Sequence, residues 1–168
     1  MQILGIAGWS GAGKTTLLAK LIPELTRRGL SISTMKHAHH GFDVDTPGKD
    51  SYVHREAGAT EVMVASGKRW ALMHELRDRA EPDAAELISH MSPVDLLLIE
   101  GFKQEPHDKL EIFRRENGKP LLSAEDPTYV AILSDGPVPE SHLPVIDLND
   151  TKAIADFICA HCHLAPKG

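Results

Sequence analysis

The sequence has few cysteines, no long apolar run and no excess of positive charge, and each absence excludes a class of protein. Cys159 and Cys162 are its only cysteines, and two thiols cannot build the disulfide framework of a small secreted domain. No segment approaches the roughly 20 apolar residues of a membrane-spanning helix. The formal net charge of −6 disfavours nucleic acids and anionic membranes as partners, because both repel a net anion. We therefore expect a cytoplasmic protein that binds neither.

What the chain does have is the composition of one globular domain. Its 168 residues are 42% apolar and 25% charged, close to the averages for folded domains. That length suits a single hydrophobic core. We find no internal repeat and no low-complexity segment, so a single domain over residues 1–168 is the prediction.

Short apolar segments alternate with segments of helical periodicity, which predicts an α/β protein. Pro23 interrupts one helical pattern and should kink or shorten that helix. Residues 60–66 and 69–76 should form an antiparallel hairpin around Gly67 and Lys68. The other strand candidates are residues 2–8, 30–37, 94–102, 109–116, 128–135 and 143–150. The helix candidates are residues 17–28, 50–57, a helix capped by Asp83, and residues 151–163 opened by Asn149 or Asp150.

Residues 8–16, GWSGAGKTT, match the phosphate-binding P-loop pattern between a predicted strand and a predicted helix. Glycines let backbone N–H groups curl around a phosphate, and the following helix directs its positive end at the same oxygens. Lys14 would bind the β- and γ-phosphates, and the Thr15 hydroxyl would hold Mg²⁺. The expected nucleotide-binding residues are Gly8, Ser10, Gly11, Ala12, Gly13, Lys14, Thr15 and Thr16. We therefore predict a P-loop NTPase fold, a three-layer sandwich with a mostly parallel central sheet and an added antiparallel hairpin.

Two acidic positions complete the predicted phosphate site. Glu100 ends a nearly continuous apolar strand, and ligands of parallel sheets sit beyond such strand ends. Asp45 lies in an acidic loop at residues 41–50, after the second strand. We expect Thr15, Glu100 and Asp45 to serve the metal, with Lys14, Glu100 and Asp45 as catalytic groups. The alternatives are a solvated strand-end glutamate and an aspartate that only shapes its loop.

Two histidine- and cysteine-containing strings leave a metal-binding role open. Residues 159–163, CAHCH, match a haem-attachment pattern that requires export, so we exclude haem and expect both cysteines to pack or face solvent on an amphipathic helix. Residues 36–40, KHAHH, follow a strand, where Lys36 and His37 could contact an anion. The histidines of this string are His37, His39 and His40.

Together, the strings GWSGAGKTT, KHAHHGFDVDTPGKDS, REAGA, VASGKRWALM and LLLIEGFKQE resemble the MobB family of molybdopterin-guanine dinucleotide biosynthesis adapter proteins over about residues 1–160. The resemblance implies a dimeric GTP-binding protein, with weak GTPase activity at most, that assists the guanylyltransferase MobA in joining GMP to molybdopterin. It leaves open whether molybdopterin itself binds. The chain lacks the Asn-Lys-x-Asp guanine motif of familiar GTPases, so we assign guanine recognition to Asp135, at the end of strand candidate 128–135.

Two alternatives from other classes remain. One is an ATP-dependent small-molecule kinase or ligase resembling dethiobiotin synthetase, for which Arg69, Arg77 and Arg79 are candidate lid residues. The other is a metal-delivery GTPase that uses the histidine and cysteine strings.

Overall fold

The structure, a computed structural model, describes residues 1–38, 41–102 and 105–167. The chain divides into two compact units, residues 1–37 with 91–168 and residues 38–90. The strands are β1 (Gln2–Ala7), β2 (Ile32–Lys36), β3 (Glu61–Ala65), β4 (Trp70–His74), β5 (Leu96–Glu100), β6 (Lys109–Phe113), β7 (Tyr129–Ser134) and β8 (Val145–Asp147). The α-helices are α1 (Lys14–Arg27), α2 (Asp50–Glu56), α3 (Ala84–Ser89) and α4 (Thr151–His161).

The first unit is built on a six-stranded sheet with strand order β2-β5-β1-β6-β7-β8. Every neighbouring pair in it is parallel. The first four residues of β5 are fully buried apolar side chains, as expected for an inner strand of a parallel sheet. The predicted α/β class with its parallel central sheet is confirmed. One edge of the sheet therefore collects the carboxyl ends of six strands.

Helices α1 and α4 pack together against one face of this sheet. Leu17, Leu21 and Leu25 recur at helical spacing and are buried, and each contributes roughly 1.5–3 kcal/mol to stability. Pro23 lies inside α1, yet the helix continues to Arg27, so the expected shortening is wrong. Pro23 is exposed, so solvent can bond the backbone carbonyl that a proline leaves without a donor.

The second unit contains α2, the predicted hairpin and α3. Strands β3 and β4 pair antiparallel, with Val62 opposite Met73 and Met63 opposite Leu72, so the hairpin prediction is confirmed. The Asp83 carboxylate accepts a hydrogen bond from the Glu86 backbone N–H, which confirms the cap of α3.

The end of the chain also follows the prediction. Asp150 caps α4 through a hydrogen bond from the Ala153 N–H. Cys159 and Cys162 are free and buried, and both belong to the core beneath α1 and α4, so the packing interpretation is confirmed. No helix in the described part of the chain has the length and apolar character to span a membrane.

Candidate functional site

The predicted phosphate loop, residues 8–13 between β1 and α1, lies at the carboxyl end of an inner strand of the sheet. Gly8, Gly11 and Gly13 have φ values of 152°, 80° and 102°, a region that side chains other than glycine rarely adopt. An added Cβ at Gly8 would also lie 2.8 Å from the Ile112 carbonyl oxygen of β6. Backbone geometry therefore explains why glycine stands at these three positions.

Helix α1 presents an uncompensated positive end to this loop. Gly13 is its N-cap residue and makes no side-chain capping bond, and the first turn of α1 carries no acidic residue. The Thr15 and Thr16 side chains are exposed. Free N–H groups and the helix dipole at such an end favour an anion. The sequence therefore places neither a carboxylate nor a cap where a phosphate would bind.

Lys14 adds a full positive charge and folds back over the loop. Its Nζ donates hydrogen bonds to the Gly8 carbonyl at 2.9 Å and the Trp9 carbonyl at 3.2 Å. These bonds hold the ammonium group over the first two residues of the glycine loop. Phosphate oxygens are stronger acceptors for an ammonium than neutral carbonyls are, so a nucleotide can take over these bonds.

Glu100 lies on one side of the loop, at the carboxyl end of β5. It pairs with Ile6 of β1 and with Lys36 of β2, and its side chain is only 14% exposed. The Lys36 ammonium lies 3.9 Å from the carboxylate, and a contact between this lysine and an anion stays a prediction. The structure thus brings Glu100 to the strand end beside the phosphate loop.

His37 packs closely beneath the turn that follows Glu100. Its backbone N–H donates to the Glu100 carbonyl at 2.8 Å, and its ring lies 4.6 Å from that of Phe102. Gly101 has a φ of 97°, and a Cβ there would lie 2.7 Å from the His37 Cβ. His37 therefore supports the turn, and a contact with an anion stays a prediction.

Asp135 lies on the opposite side of the loop, directly after β7, and Arg114 connects the two. The Arg114 Nη1 donates to the Asp135 carboxylate at 2.5 Å, and its Nε donates to the Ala12 carbonyl at 3.2 Å. Sequence reasoning missed Arg114 and treated residues 109–116 only as a strand. The signal was an arginine at the end of a strand, but the sequence does not reveal that β6 adjoins β1.

Trp9, which follows Gly8 in the loop, is also anchored on the side where Arg114 and Asp135 lie. Its indole Nε1 donates to the Pro120 carbonyl at 2.8 Å, and the Lys119 ammonium lies 5.6 Å from the ring centroid. Lys119 and Pro120 thus contact the first residue after Gly8, and no sequence pattern predicted this contact.

Asp45 belongs to the second unit, where its carboxylate has local partners. It accepts hydrogen bonds from the Thr46 N–H at 2.9 Å and the Ser51 hydroxyl at 2.8 Å. Its Oδ2 is buried without a hydrogen bond to any described residue, 4.0 Å from Arg55 Nε. Arg55 also bonds Asp43 and holds the pKa of that carboxyl below its usual range. A metal-facing role for Asp45 stays a prediction.

The histidine and cysteine strings supply little support for a metal centre. His39 and His40 lie outside the described residues. Over residues 1–38, 41–102 and 105–167, no three His, Cys, Asp or Glu side chains form a metal-binding group. Burial, helped by the nearby Asp108 carboxylate, raises the pKa of the Cys162 thiol to about 11, and a protonated thiol is a poor metal ligand.

Arg77, one candidate lid residue of the kinase alternative, donates a hydrogen bond to the Ala59 carbonyl at 2.9 Å and so stabilises its own unit.

Comparison with known proteins decides the family. Residues 3–135 match the model of the family described as "MobB: Molybdopterin guanine dinucleotide synthesis protein B". The chain belongs to the MobB family. It is 47% identical over 161 residues to the molybdopterin-guanine dinucleotide biosynthesis adapter protein of Escherichia coli (strain K12), covering 94% of this chain and 91% of that protein.

Two further MobB relatives extend this result. The adapter protein of Haemophilus influenzae is 43% identical over 158 residues, covering 94% of this chain and 88% of that protein. The crystal structure of Bacillus subtilis MobB superposes with a TM-score of 0.75 at 27% identity, covering 95% of this chain and 97% of that one. The resemblance to the MobB family that the motifs carried is confirmed.

Proposed function

We propose that this MobB-family chain is a GTP-binding adapter of molybdopterin-guanine dinucleotide biosynthesis in the cytoplasm. It binds GTP, hydrolyses it slowly at most, and assists the guanylyltransferase MobA. The observation that carries the proposal is the glycine loop with Lys14 folded over it, at an uncapped helix end. The pathway comes from the names of relatives that align over nearly the whole chain.

The oxygen donors beside the loop fit a magnesium ion. The Thr15 hydroxyl is exposed at the start of α1, and Glu100 supplies a carboxylate at the neighbouring strand end. Hydroxyl and carboxylate oxygens are the ligands that Mg²⁺ prefers. When bound, the ion would neutralise part of the charge on the β- and γ-phosphates. Lys14, Glu100 and Asp45 remain the proposed catalytic groups, and Asp45 is also a proposed metal ligand.

The strand order suggests how the nucleotide is oriented. Glu100 ends β5 on one side of β1, whereas Asp135 follows β7 on the other side, beyond β6. A nucleotide whose terminal phosphates face Glu100 therefore extends its base toward Asp135. A carboxylate there accepts from the guanine N1–H and the 2-amino group, whereas adenine offers neither donor in that arrangement.

We also propose that the chain is a homodimer whose interface includes the outer face of the hairpin. On that face, Met63 and Leu72 are opposite one another, and Trp70 lies next along β4. Their exposures are 61%, 45% and 66%, a contiguous apolar face that a second copy could cover. Sedimentation should show Met63→Lys shifting the chain to monomer, with Val53→Lys on α2 as the exposed apolar control. Equal masses for wild type and Met63→Lys would remove the hairpin from the interface.

The adapter role is tested by the rate at which the guanylyltransferase converts molybdopterin to its guanine dinucleotide. We expect this chain to increase that rate when GTP is present and the Lys14→Ala variant to give no increase. A rate that is unchanged by the wild-type chain contradicts the adapter role, even if GTP binds.

A further inference from the structure

A single guanidinium group joins the phosphate loop to the residue assigned to the base. Arg114 follows β6, the strand between β1 and β7. Its Nε donates to the Ala12 carbonyl within the loop, and its Nη1 donates to Asp135 Oδ2. The Arg114 and Asp135 side chains are 28% and 31% exposed, so both reach the protein surface beside the loop.

The third nitrogen of Arg114 faces the start of α1. A Cβ placed on Gly13 would lie 3.8 Å from Nη2, and none of the hydrogen bonds among the described residues uses this nitrogen. Gly13 is the N-cap residue of α1. Nη2 is therefore a hydrogen-bond donor at the mouth of the anion site, on the side opposite Glu100.

The fork shape of the guanidinium makes this arrangement directional. Its nitrogens are fixed in one plane, so a bond to Ala12 restricts where Nη1 can hold the carboxylate. With Oδ2 bound to Arg114, the other oxygen of Asp135 stays available for a base donor. A lysine at this position would supply the charge but only a single pivoting ammonium group.

We propose that Arg114 is the specificity-determining positioning residue of this site, which couples phosphate binding to recognition of the base through Asp135. The inference rests on the proposed GTP binding and deepens it. Arg114 fixes the Asp135 carboxylate relative to the phosphate loop. A nucleotide whose base donates to that carboxylate therefore has its phosphates positioned at the loop. Base selectivity then depends on a residue that need not touch the base.

The test compares GTP with inosine triphosphate, which lacks only the 2-amino group, and with ATP, by calorimetric titration in Mg²⁺. The variants are Arg114→Ala, Arg114→Lys and Asp135→Ala, with Arg115→Ala as the matched control. Arg115 carries the same charge but pairs with Glu140, and none of its hydrogen bonds among the described residues reaches the predicted phosphate loop. A hydrogen bond to a charged acceptor contributes enough that wild type should favour GTP over inosine triphosphate by roughly 10- to 100-fold.

The selectivity ratio is the Kd for inosine triphosphate divided by the Kd for GTP. We expect Arg114→Ala to reduce this ratio to within about threefold of unity, and a general loss of stability does not change it. Arg114→Lys should recover affinity for both nucleotides without recovering the ratio. Adding Asp135→Ala to Arg114→Ala should change the ratio no further, whereas Arg115→Ala should leave it at the wild-type value. Thermal melts of each variant identify any that fail to fold, and Arg114→Lys keeps the test available if Arg114→Ala does.

The outcomes separate this inference from the function on which it rests. If wild type binds no GTP, the proposed function fails. If wild type binds GTP selectively and both Arg114 variants keep the wild-type ratio, only the role of Arg114 is overturned. Full recovery of the ratio in Arg114→Lys would likewise overturn the geometric role and leave a role of charge alone.

Discussion

Replacing Lys14 with alanine removes the ammonium group that the structure places over the glycine loop. In the structure this group donates to the Gly8 and Trp9 carbonyls. Gly8 is buried and Trp9 is half-buried, so water can replace the lost donor more readily at Trp9 than at Gly8. We expect the free energy of unfolding to fall by about 1–2 kcal/mol.

The effect on nucleotide binding should be much larger. In the proposed complex, the ammonium would face oxygens that carry formal charge, at a helix end with no acidic residue in its first turn. Removing one partner of a close hydrogen-bonded charge pair costs about 2–5 kcal/mol. Since 1.4 kcal/mol corresponds to a factor of ten, the Kd for GTP should rise by roughly 30- to 3,000-fold.

Isothermal titration of GTP into wild type and Lys14→Ala, in Mg²⁺ and at fixed salt, measures this directly. Lys20→Ala is the control, because Lys20 is an exposed lysine of the same helix and its removal changes the net charge equally. It should alter the Kd by less than about threefold. Equal Kd values for wild type and Lys14→Ala would refute the assignment of the phosphate site.

The remaining predictions concern the metal-side acid, the loop geometry and the buried thiol. Glu100→Gln should slow single-turnover phosphate release by on the order of 100-fold while changing the GTP Kd far less. Wild-type turnover in this variant would show that Glu100 has no catalytic role. Gly8→Ala should lower the free energy of unfolding by about 2–5 kcal/mol in denaturant titrations, because strain adds to the contact with Ile112. Gly11 has a φ of 80° but nothing lies within 4 Å of an added Cβ, so Gly11→Ala should lower the free energy of unfolding by only about 1–2 kcal/mol. Equal losses of stability in the two variants would contradict the clash between Gly8→Ala and Ile112. Cys162 should resist iodoacetamide at pH 9 in the native protein but react in guanidinium, since its folded pKa is about 11. Because that pKa is raised, its contribution to stability should be lost as pH rises from about 9 toward 11, and rapid alkylation of the native thiol would contradict its burial.

Much of the geometry of the candidate phosphate site was predictable because its parts are local in sequence. The spacing of Gly8, Gly13, Lys14 and Thr15 encodes both a backbone shape and a charge, and the strand and helix around it have clear periodicity. Glu100 was predictable because β5 is apolar along its length and ends at one acid. Parallel strands bring such ends to one edge of the sheet.

The bridge through Arg114 could not be predicted, because it depends on strand order. Arg114 bonds Ala12 and Asp135, which are 102 and 21 residues away in sequence. The sequence of residues 109–116 does not indicate that β6 lies between β1 and β7. The same limit applies to Trp9, whose partner Pro120 is 111 residues away.

Pro23 shows a different limit, in which a strong local preference yields to packing. Proline disfavours a helix interior by roughly 3 kcal/mol. Leu17, Leu21 and Leu25, on the same helix, are each buried almost completely. Their combined burial outweighs the cost of one missing hydrogen bond at an exposed position, so α1 continues to Arg27.

We propose that this glycine loop binds GTP and that the bound chain acts on a partner enzyme. The most direct measurement is an affinity panel of GTP, GDP and ATP, titrated into the wild-type chain with and without the guanylyltransferase. We expect GTP to bind at least about tenfold more tightly than ATP and its affinity to change when the guanylyltransferase is present. Equal affinities for GTP and ATP that the guanylyltransferase leaves unchanged would contradict this function.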